Sequence, residues 1–157
     1  MYASVLGVIE SFADVDETAM AAWIAAIPFS EWPQQRPVDD QLRPMMVTDL
    51  EWHGFGEMAA PVIKELGFEG QAYQLMLSVV MPGHSIDAHI DEQAPYWHTR
   101  IHVPLLSNDR ALFISEGKPS VMTPGLAYRV NTRALHAIEN GGATPRVHLM
   151  FDVRGSE

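Results

Sequence analysis

The sequence Arg-Val-His-Leu-Met-Phe-Asp-Val occupies residues 146–153 and alternates between apolar and polar side chains. Successive side chains on a β-strand point to opposite faces of the sheet, so this alternation predicts a strand with one apolar and one mostly polar face. The apolar face consists of Val147, Leu149, Phe151 and Val153. The other face consists of Arg146, His148, Met150 and Asp152.

Two earlier stretches have the same alternation, and both carry His, Arg or Ser on the face opposite the apolar one. The opposing face of residues 74–79 carries Gln74, Met76 and Ser78, and that of residues 100–103 carries Arg100 and His102. For a single strand, a solvated outer face is the usual explanation. Solvent faces are rich in Lys and Glu, however, and residues 71–80 and 99–106 contain neither. The pattern therefore favours a polar cavity inside a rolled sheet.

The rest of the chain fits a mainly β domain with helices at its start. Strands are predicted at residues 71–80, 99–106, 111–115, 126–130 and 146–153, with Gly, Pro and Asn turns between them. Residues 1–70 are predicted to be helical or mixed. One helix follows a capping box formed by Asp14 and Glu17 and stops at Pro28, and another follows Thr48 and Glu51 and stops at Gly67. We expect a single domain over residues 1–157: a jelly roll (double-stranded β-helix) at residues 71–157, with the N-terminal helices packed on one sheet.

Composition excludes several functional classes. The chain has 157 residues, 47% of them hydrophobic, and a net charge of −10. An acidic chain is a poor partner for nucleic acid or for an anionic membrane, so neither is expected. There is no cysteine, which excludes disulfides, iron–sulfur clusters and thiolate ligands. A metal would be held by His, Asp or Glu, and a reducing cytoplasm is the expected location.

A candidate metal site begins with His89-Ile-Asp91. In extended structure, positions i and i+2 point the same way, so both side chains can reach one ion. A third ligand from a later strand, His136, would complete a triad of two His and one carboxylate, which is typical of non-haem iron(II) oxygenases. Ten residues after His136 comes Arg146, whose planar guanidinium suits the far carboxylate of 2-oxoglutarate. The combination is much more specific than the His-x-Asp pair alone.

Four segments together resemble the aspartyl/asparaginyl β-hydroxylase family of 2-oxoglutarate oxygenases. They are Met-Pro-Gly-His-Ser-Ile-Asp-Ala-His-Ile-Asp-Glu (81–92), Arg-Ile-His-Val-Pro-Leu (100–105), Asn-Thr-Arg-Ala-Leu-His-Ala-Ile-Glu-Asn (131–140) and Arg-Val-His-Leu-Met-Phe-Asp-Val (146–153). The resemblance covers about half of the chain. It implies Fe(II) as the metal, with 2-oxoglutarate and O2 as cosubstrates and hydroxylation of an amino acid or peptide side chain as the reaction.

The resemblance also implies roles for individual residues. His89 and His136 correspond to the iron ligands. Arg146, assisted by Ser78, corresponds to the group that binds the 2-oxoglutarate tail, and Arg100 and His102 help to hold its other end. Animal members of the family carry Gly at the position of Asp91. A complete triad therefore makes this chain more similar to bacterial members that hydroxylate free amino acids, such as proline cis-hydroxylases.

Residues near the primary substrate are harder to predict from the sequence. The loop after the metal pair contains Tyr96 and Trp97, and we expect it to border the substrate entrance. His148 shares the polar face of Arg146 and is a third candidate for substrate contact. Two alternatives to the oxygenase stay open at this point. One is a cupin-like metalloenzyme that uses no 2-oxoglutarate, and the other is a non-catalytic ligand-binding roll.

Overall fold

The computed structural model describes residues 9–33, 37–38, 41–42, 45–91 and 98–154. The N-terminal elements are strand β1 (Ile9–Asp14), helix α1 (Thr18–Ala26), the short strands β2 (Pro37–Val38), β3 (Gln41–Leu42) and β4 (Met45–Val47), and helix α2 (Phe55–Glu65). Strands then follow: β5 (Tyr73–Val80), β6 (Ser85–His89), β7 (His98–Leu106), β8 (Ala111–Ser115), β9 (Lys118–Ser120), β10 (Leu126–Val130), β11 (His136–Asn140) and β12 (Arg146–Arg154).

The strands form two main antiparallel sheets that enclose a cavity. The large sheet has the order β1-β10-β7-β12-β5-β4, and the small sheet has the order β6-β11-β8-β9. Strands β2 and β3 pair with each other in a separate two-stranded sheet. Non-consecutive strands lie side by side in both main sheets, as in a jelly roll. The predicted fold class, a mainly β jelly roll with N-terminal helices, is therefore confirmed.

Both helices pack on the outer face of the large sheet, which explains the apolar parity of its strands. Buried side chains of α1 and α2 join the apolar faces of the central strands in one core, which includes Met20, Ile24, Phe55, Val62, Leu77, Ile101, Leu149 and Phe151. The opposite face of the same strands looks into the roll. Burying an apolar face beneath the helices therefore directs the polar face inward, as the alternation predicted.

The N-terminal part differs from the prediction at several points. Strands β1 and β4 join the two edges of the large sheet, although residues 1–70 were expected to be helical or mixed. Both predicted capping boxes are wrong. Asp14 ends a strand, α1 begins with no side-chain cap, and α2 begins only at Phe55 after a short 3₁₀ turn. The end of α2 agrees with the prediction, because Gly67 adopts a left-handed φ of +86°.

Among the described residues, none of the helices has both the length and the hydropathy that a membrane span requires.

Candidate metal centre

Strands β6 and β11 of the small sheet bring His89 and His136 together. The two strands are antiparallel neighbours, and the two histidines lie directly opposite each other in the register. Their ring centroids are 4.4 Å apart. Asp91 lies two residues beyond His89, and its backbone N–H donates a hydrogen bond of 2.9 Å to the carbonyl of Thr132. The strand register and this hydrogen bond therefore bring the three predicted ligands close together.

The donor atoms of these residues have the spacing of a metal site. The Oδ1 atom of Asp91 is 3.4 Å from His89 Nε2 and 3.7 Å from His136 Nε2. The three ligand atoms all lie within 4.8 Å of one another. Neighbouring ligands of an octahedral ion with bonds of about 2.1 Å are separated by about 3 Å, so a small closing movement would complete the site. The predicted His-Asp-His triad can therefore form.

Each histidine is oriented by a backbone carbonyl two residues earlier in the chain. His89 Nδ1 donates to the carbonyl of Asp87 at 2.7 Å, and His136 Nδ1 donates to the carbonyl of Ala134 at 2.8 Å. A carbonyl can only accept, so the proton of each neutral ring lies on Nδ1 and the lone pair lies on Nε2. Both rings thus present the atom that a metal needs, and these carbonyls are the orienting partners usual for metal-binding histidines.

Burial also keeps His136 in the form that binds metals. Burial lowers its pKa, although the hydrogen bond from its ring to the carbonyl of Ala134 and the negative charge of Asp91 partly offset this effect. The ring of Phe113 stacks on it, with centroids 5.6 Å apart and planes 8° apart. His89 is more open, with 42% of its side chain exposed. His136 is therefore fixed in the wall, whereas His89 faces the entrance.

The second carboxylate oxygen of Asp91 is bound by Arg100. Arg100 Nη1 donates to Asp91 Oδ2 at 3.2 Å. Its Nε and Nη2 atoms donate to the two oxygens of Asp152 at 2.8 and 3.1 Å. Burial alone would lower the pKa of Arg100, but its hydrogen bonds to Asp152 and its attraction to both carboxylates prevail and raise it. Arg100 is thus charged and engaged by protein groups.

The triad lies in the wall of a cavity of about 850 Å³. Both sheets and the turn before β6 contribute to this wall, which includes Met46, Met76, Ser78, His84, Asp87, Arg100, His102, Phe113, Thr132 and Met150. The lining is mixed, because polar groups and three methionines contribute to the same wall. Such a mixture is typical of a site that takes a small polar ligand beside an adaptable apolar surface.

His102 in the cavity wall and His148 form a buried pair. Their Nδ1 atoms are 3.1 Å apart, so one ring donates a hydrogen bond and the other accepts it. Burial lowers the pKa of both histidines well below the usual value, and the nearby positive charge of Arg146 lowers both further. Both rings are therefore neutral at pH 7. His102 reaches the cavity, whereas the predicted substrate residue His148 lies behind it.

Arg146 is the largest fully buried side chain that the structure describes, with 1% of its surface exposed. Neither its Nη1 nor its Nη2 atom has a hydrogen-bond partner among the described residues. Burial lowers its pKa to about 9, so the guanidinium remains charged at pH 7. A buried guanidinium without a carboxylate is costly, and it fits a site that receives an anionic group.

The predicted residues Ser78 and Arg146 come from neighbouring strands. On β5 and β12, Ser78 lies opposite His148 and Arg146 lies opposite Val80, so Ser78 and Arg146 are diagonal neighbours on the inner face. Ser78 lines the cavity. Two other predicted residues, Tyr96 and Trp97, lie outside the described residues. Their expected place at the entrance stays a prediction.

Three residues of the centre were not predicted: Phe113, Thr132 and Asp152. The alternation of residues 146–153 already placed Asp152 on the inner face, but its pairing with Arg100 depends on the register of two strands 52 residues apart. Phe113 lies in a stretch with no distinctive motif, and Thr132 lies in the segment 131–140, in which only His136 was assigned a role. Only the fold shows that both residues contact the ligands.

Comparison with known families gives one match that covers most of the strands. The family model described as aspartyl/asparaginyl beta-hydroxylase matches residues 58–155. No curated protein matches the sequence.

Several solved structures have a similar fold. One is an oxidoreductase of the 2OG-Fe(II) oxygenase family from Burkholderia pseudomallei, with 15% identity, coverage of 99% of this chain and 92% of that chain, and a TM-score of 0.61. Another is the viral collagen prolyl hydroxylase of Paramecium Bursaria Chlorella virus-1 in complex with 2OG, with 11% identity, coverage of 94% and 96%, and a TM-score of 0.62. A third is the non-heme alpha ketoglutarate dependent epimerase SnoN from nogalamycin biosynthesis, with 12% identity, coverage of 94% and 77%, and a TM-score of 0.65. At such low identity, these similarities establish the shared jelly-roll fold.

Proposed function

The chain belongs to the aspartyl/asparaginyl β-hydroxylase family, and we propose that it is an Fe(II)- and 2-oxoglutarate-dependent dioxygenase that hydroxylates an amino acid or a peptide side chain. Succinate and CO2 would be its co-products. The observation that carries this proposal is the presence, in one roll, of the His89–Asp91–His136 donor set and of the buried guanidinium of Arg146, whose two Nη atoms have no hydrogen-bond partner among the described residues. A metal site alone would fit many functions, but the buried cation adds a requirement for an anion.

The donor set matches iron(II) in number and in chemical type. Two neutral imidazoles and one carboxylate would occupy three positions and leave three for cosubstrates. Bound iron(II), with 2-oxoglutarate and O2, would supply the oxidising chemistry, in which decarboxylation of 2-oxoglutarate accompanies insertion of oxygen into a C–H bond. The protein's part is to hold the ligands in place, to bind the cosubstrate in one orientation and to keep water away.

Arg146 would bind the C5 carboxylate of 2-oxoglutarate through its two Nη atoms. Ser78, its diagonal neighbour, would donate a further hydrogen bond to the same carboxylate. His102 lies close to Arg146 and lines the cavity, so it would contact the end of the cosubstrate nearer the metal. Two N–H groups of Arg100 are not engaged by Asp152 or Asp91, which leaves them able to contact the same end.

The primary substrate would enter over the exposed edge of His89. The surfaces available to it include Met46, Met76, His84 and Asp87, together with Tyr96 and Trp97 if their loop borders the entrance as predicted. The family description and the collagen prolyl hydroxylase among the similar structures favour an amino-acid or peptide substrate over other small molecules. Because His148 lies behind His102, we propose that it supports His102 and does not contact the substrate.

Anaerobic absorption spectroscopy tests this proposal. Iron(II) added to metal-free protein with 2-oxoglutarate should produce the weak visible charge-transfer band of the iron–2-oxoglutarate chelate. His136→Ala should lose the band, because it removes a metal ligand. Arg146→Ala should need at least tenfold more 2-oxoglutarate for the same intensity, because it removes the charged partner of the C5 carboxylate. Asp109→Ala, in an exposed turn, is a control that should match wild type.

The same experiment separates the alternatives. Metal binding without a chelate band would favour a cupin-like metalloenzyme that uses no 2-oxoglutarate. No metal binding at all would leave a non-catalytic roll and refute the proposal. If the band appears, formation of succinate from 2-oxoglutarate in air, screened first with free amino acids and then with peptides, identifies the substrate class.

A further inference from the structure

Asp91 is held differently from the two histidines of the donor set. His89 and His136 lie within strands, and each ring is fixed by a carbonyl of its own chain segment. Asp91 follows the end of β6, and its backbone N–H contacts Thr132. Among the described residues of the small sheet, none donates a hydrogen bond to its Oδ2 atom. The group that does so comes from the large sheet.

That group is the guanidinium of Arg100, which is itself fixed by Asp152. Arg100 on β7 and Asp152 on β12 are directly opposite each other in the register. Two hydrogen bonds, of 2.8 and 3.1 Å, join them in a bidentate pair. Asp152 is fully buried and Arg100 has only 15% of its side chain exposed, so the pair is screened little by solvent. A bidentate pair at this depth sets the orientation of the guanidinium plane.

The two oxygens of Asp91 then have different partners. Oδ2 accepts the hydrogen bond from Arg100, whereas Oδ1 faces the Nε2 atoms of both histidines. A carboxylate whose second oxygen is already bound presents a single oxygen to a metal. That arrangement leaves three coordination positions open, whereas a bidentate carboxylate would occupy one of them.

Asp152 also balances the positive charge of Arg100 beside the metal site. A lone guanidinium next to a metal site would repel a dication, because a unit charge and a dication interact strongly at short distance in a partly buried site. Asp152 neutralises Arg100 while leaving Nη1 free to donate to Asp91. The pair thus provides a directed hydrogen bond with no net charge.

We propose that Arg100, anchored by Asp152, is a positioning residue that holds Asp91 as a monodentate metal ligand. This inference rests on the proposed function, because it assigns Arg100 a role within the same site. It differs from the role that family resemblance implies for Arg100, which is contact with the cosubstrate. Arg100 uses three of its five N–H groups in the structure. Positioning Asp91 and contacting the cosubstrate are therefore compatible roles, and they can be measured separately.

The test measures metal affinity without 2-oxoglutarate, using cobalt(II) as a spectroscopic probe under anaerobic conditions. Arg100→Lys keeps the charge but cannot bridge two carboxylates with the same geometry. The double variant Arg100→Gln/Asp152→Asn also keeps the charge balance and avoids an unpaired buried carboxylate. Both should bind cobalt(II) about 10- to 100-fold more weakly than wild type, the usual effect of losing an orienting partner. Arg129→Lys is a matched control on β10, because Arg129 stacks on Phe12, 3.9 Å from its ring centroid.

A second comparison shows whether Arg100 acts through Asp91. In an Asp91→Gly background, Arg100→Lys should change cobalt(II) affinity less than twofold, because the carboxylate that it positions is gone. The inference is refuted if Arg100→Lys binds cobalt(II) as wild type does, or if its effect persists in the Asp91→Gly background. Wild-type protein that binds no metal would instead refute the proposed function, and the inference with it.

Discussion

Replacing Arg146 with methionine should make the ligand-free protein more stable while abolishing its affinity for 2-oxoglutarate. The guanidinium is buried, charged and without a hydrogen-bond partner for either Nη atom among the described residues. Methionine keeps an unbranched apolar stem and removes the charge, so packing is largely retained. Arg146 is therefore predicted to be a residue that serves binding at a cost to stability.

The size of that cost follows from the pKa of Arg146. Burial lowers this pKa from the ordinary guanidinium value to about 9, and at about 1.4 kcal/mol for each pKa unit this lowering corresponds to roughly 5 kcal/mol. At pH 7 the group is charged in both the folded and the unfolded protein, so the full cost applies. Replacement of buried charges by apolar residues of similar size gains about 1–4 kcal/mol. We expect Arg146→Met to raise the free energy of unfolding by about 2–4 kcal/mol.

Urea unfolding of metal-free protein at pH 7 measures this effect. Arg110→Met is the control, because Arg110 is exposed and its replacement should change stability by no more than about 0.5 kcal/mol. With zinc(II) bound in place of iron(II), 2-oxoglutarate should raise the melting temperature of wild type but not of Arg146→Met. A variant less stable than wild type by 1 kcal/mol or more would show that the guanidinium has a favourable partner in the ligand-free protein, and the reasoning would fail.

Two further predictions concern the same interior. Burial keeps His102 and His148 neutral in the folded state. Below the ordinary histidine pKa of 6.5, these two side chains therefore bind more protons in the unfolded chain than in the folded protein. The free energy of unfolding should therefore fall on acidification below about pH 6.5, by up to about 1.4 kcal/mol per pH unit for each of the two residues. Urea titrations at several pH values should show a shallower fall in a double His→Gln variant; equal slopes would contradict the argument. Phe113→Ala should cost about 3–5 kcal/mol of stability, because Phe113 is 2% exposed, and should weaken metal binding by freeing the ring of His136. Unchanged metal affinity in a folded variant would contradict the second effect.

The inner and outer faces of the large sheet could be predicted from alternation alone. Leu149 and Phe151 lie in the core beneath the helices, and Ser78 and His102 line the cavity, as their parity indicated. Parity works here because helices cover one whole face of the sheet. It fails for β1, a strand at the edge of the sheet that pairs with β10 and whose six residues are all half-buried or exposed. A short edge strand carries little of the apolar pattern by which strands are found.

The predicted starts of the helices were also wrong, and for α1 the reason is a long-range backbone contact. A capping box needs an acceptor side chain just before the helix, and the sequence offered Asp14 and Glu17 at the required spacing. Val15, which lies between these two residues, instead donates its backbone N–H to the carbonyl of Gly125, which extends the pairing of β1. A local hydrogen bond before the helix is made instead by Asp16, whose Oδ1 accepts from Thr18 N–H at 3.0 Å. Long-range pairing displaced the local signal by two residues.

The triad was predictable as a set, but the way in which it is held was not. His89, Asp91 and His136 follow from ligand types and spacing, and the structure brings their donor atoms together. The two histidines are oriented by backbone carbonyls. Every residue has a carbonyl, so the sequence does not mark which ones accept these hydrogen bonds. The contact of Arg100 with Asp152 and Asp91 depends on register and on the packing of one sheet against the other. Sequence motifs thus identify donors more readily than the groups that orient them.

The ionised groups of this interior explain why metal and cosubstrate should bind together. Arg100 and Arg146 carry two positive charges, and Asp91 and Asp152 carry two negative charges, so these four groups are formally neutral together before any ligand binds. Iron(II) alone would add two positive charges to a partly buried site, and 2-oxoglutarate alone would add two negative ones. Either imbalance is costly in a medium of low dielectric constant, whereas the two ligands together restore neutrality. Each ligand should therefore strengthen the binding of the other by the same factor, because such coupling is reciprocal. The charges that the fold buries thus favour the complete complex over either partial one.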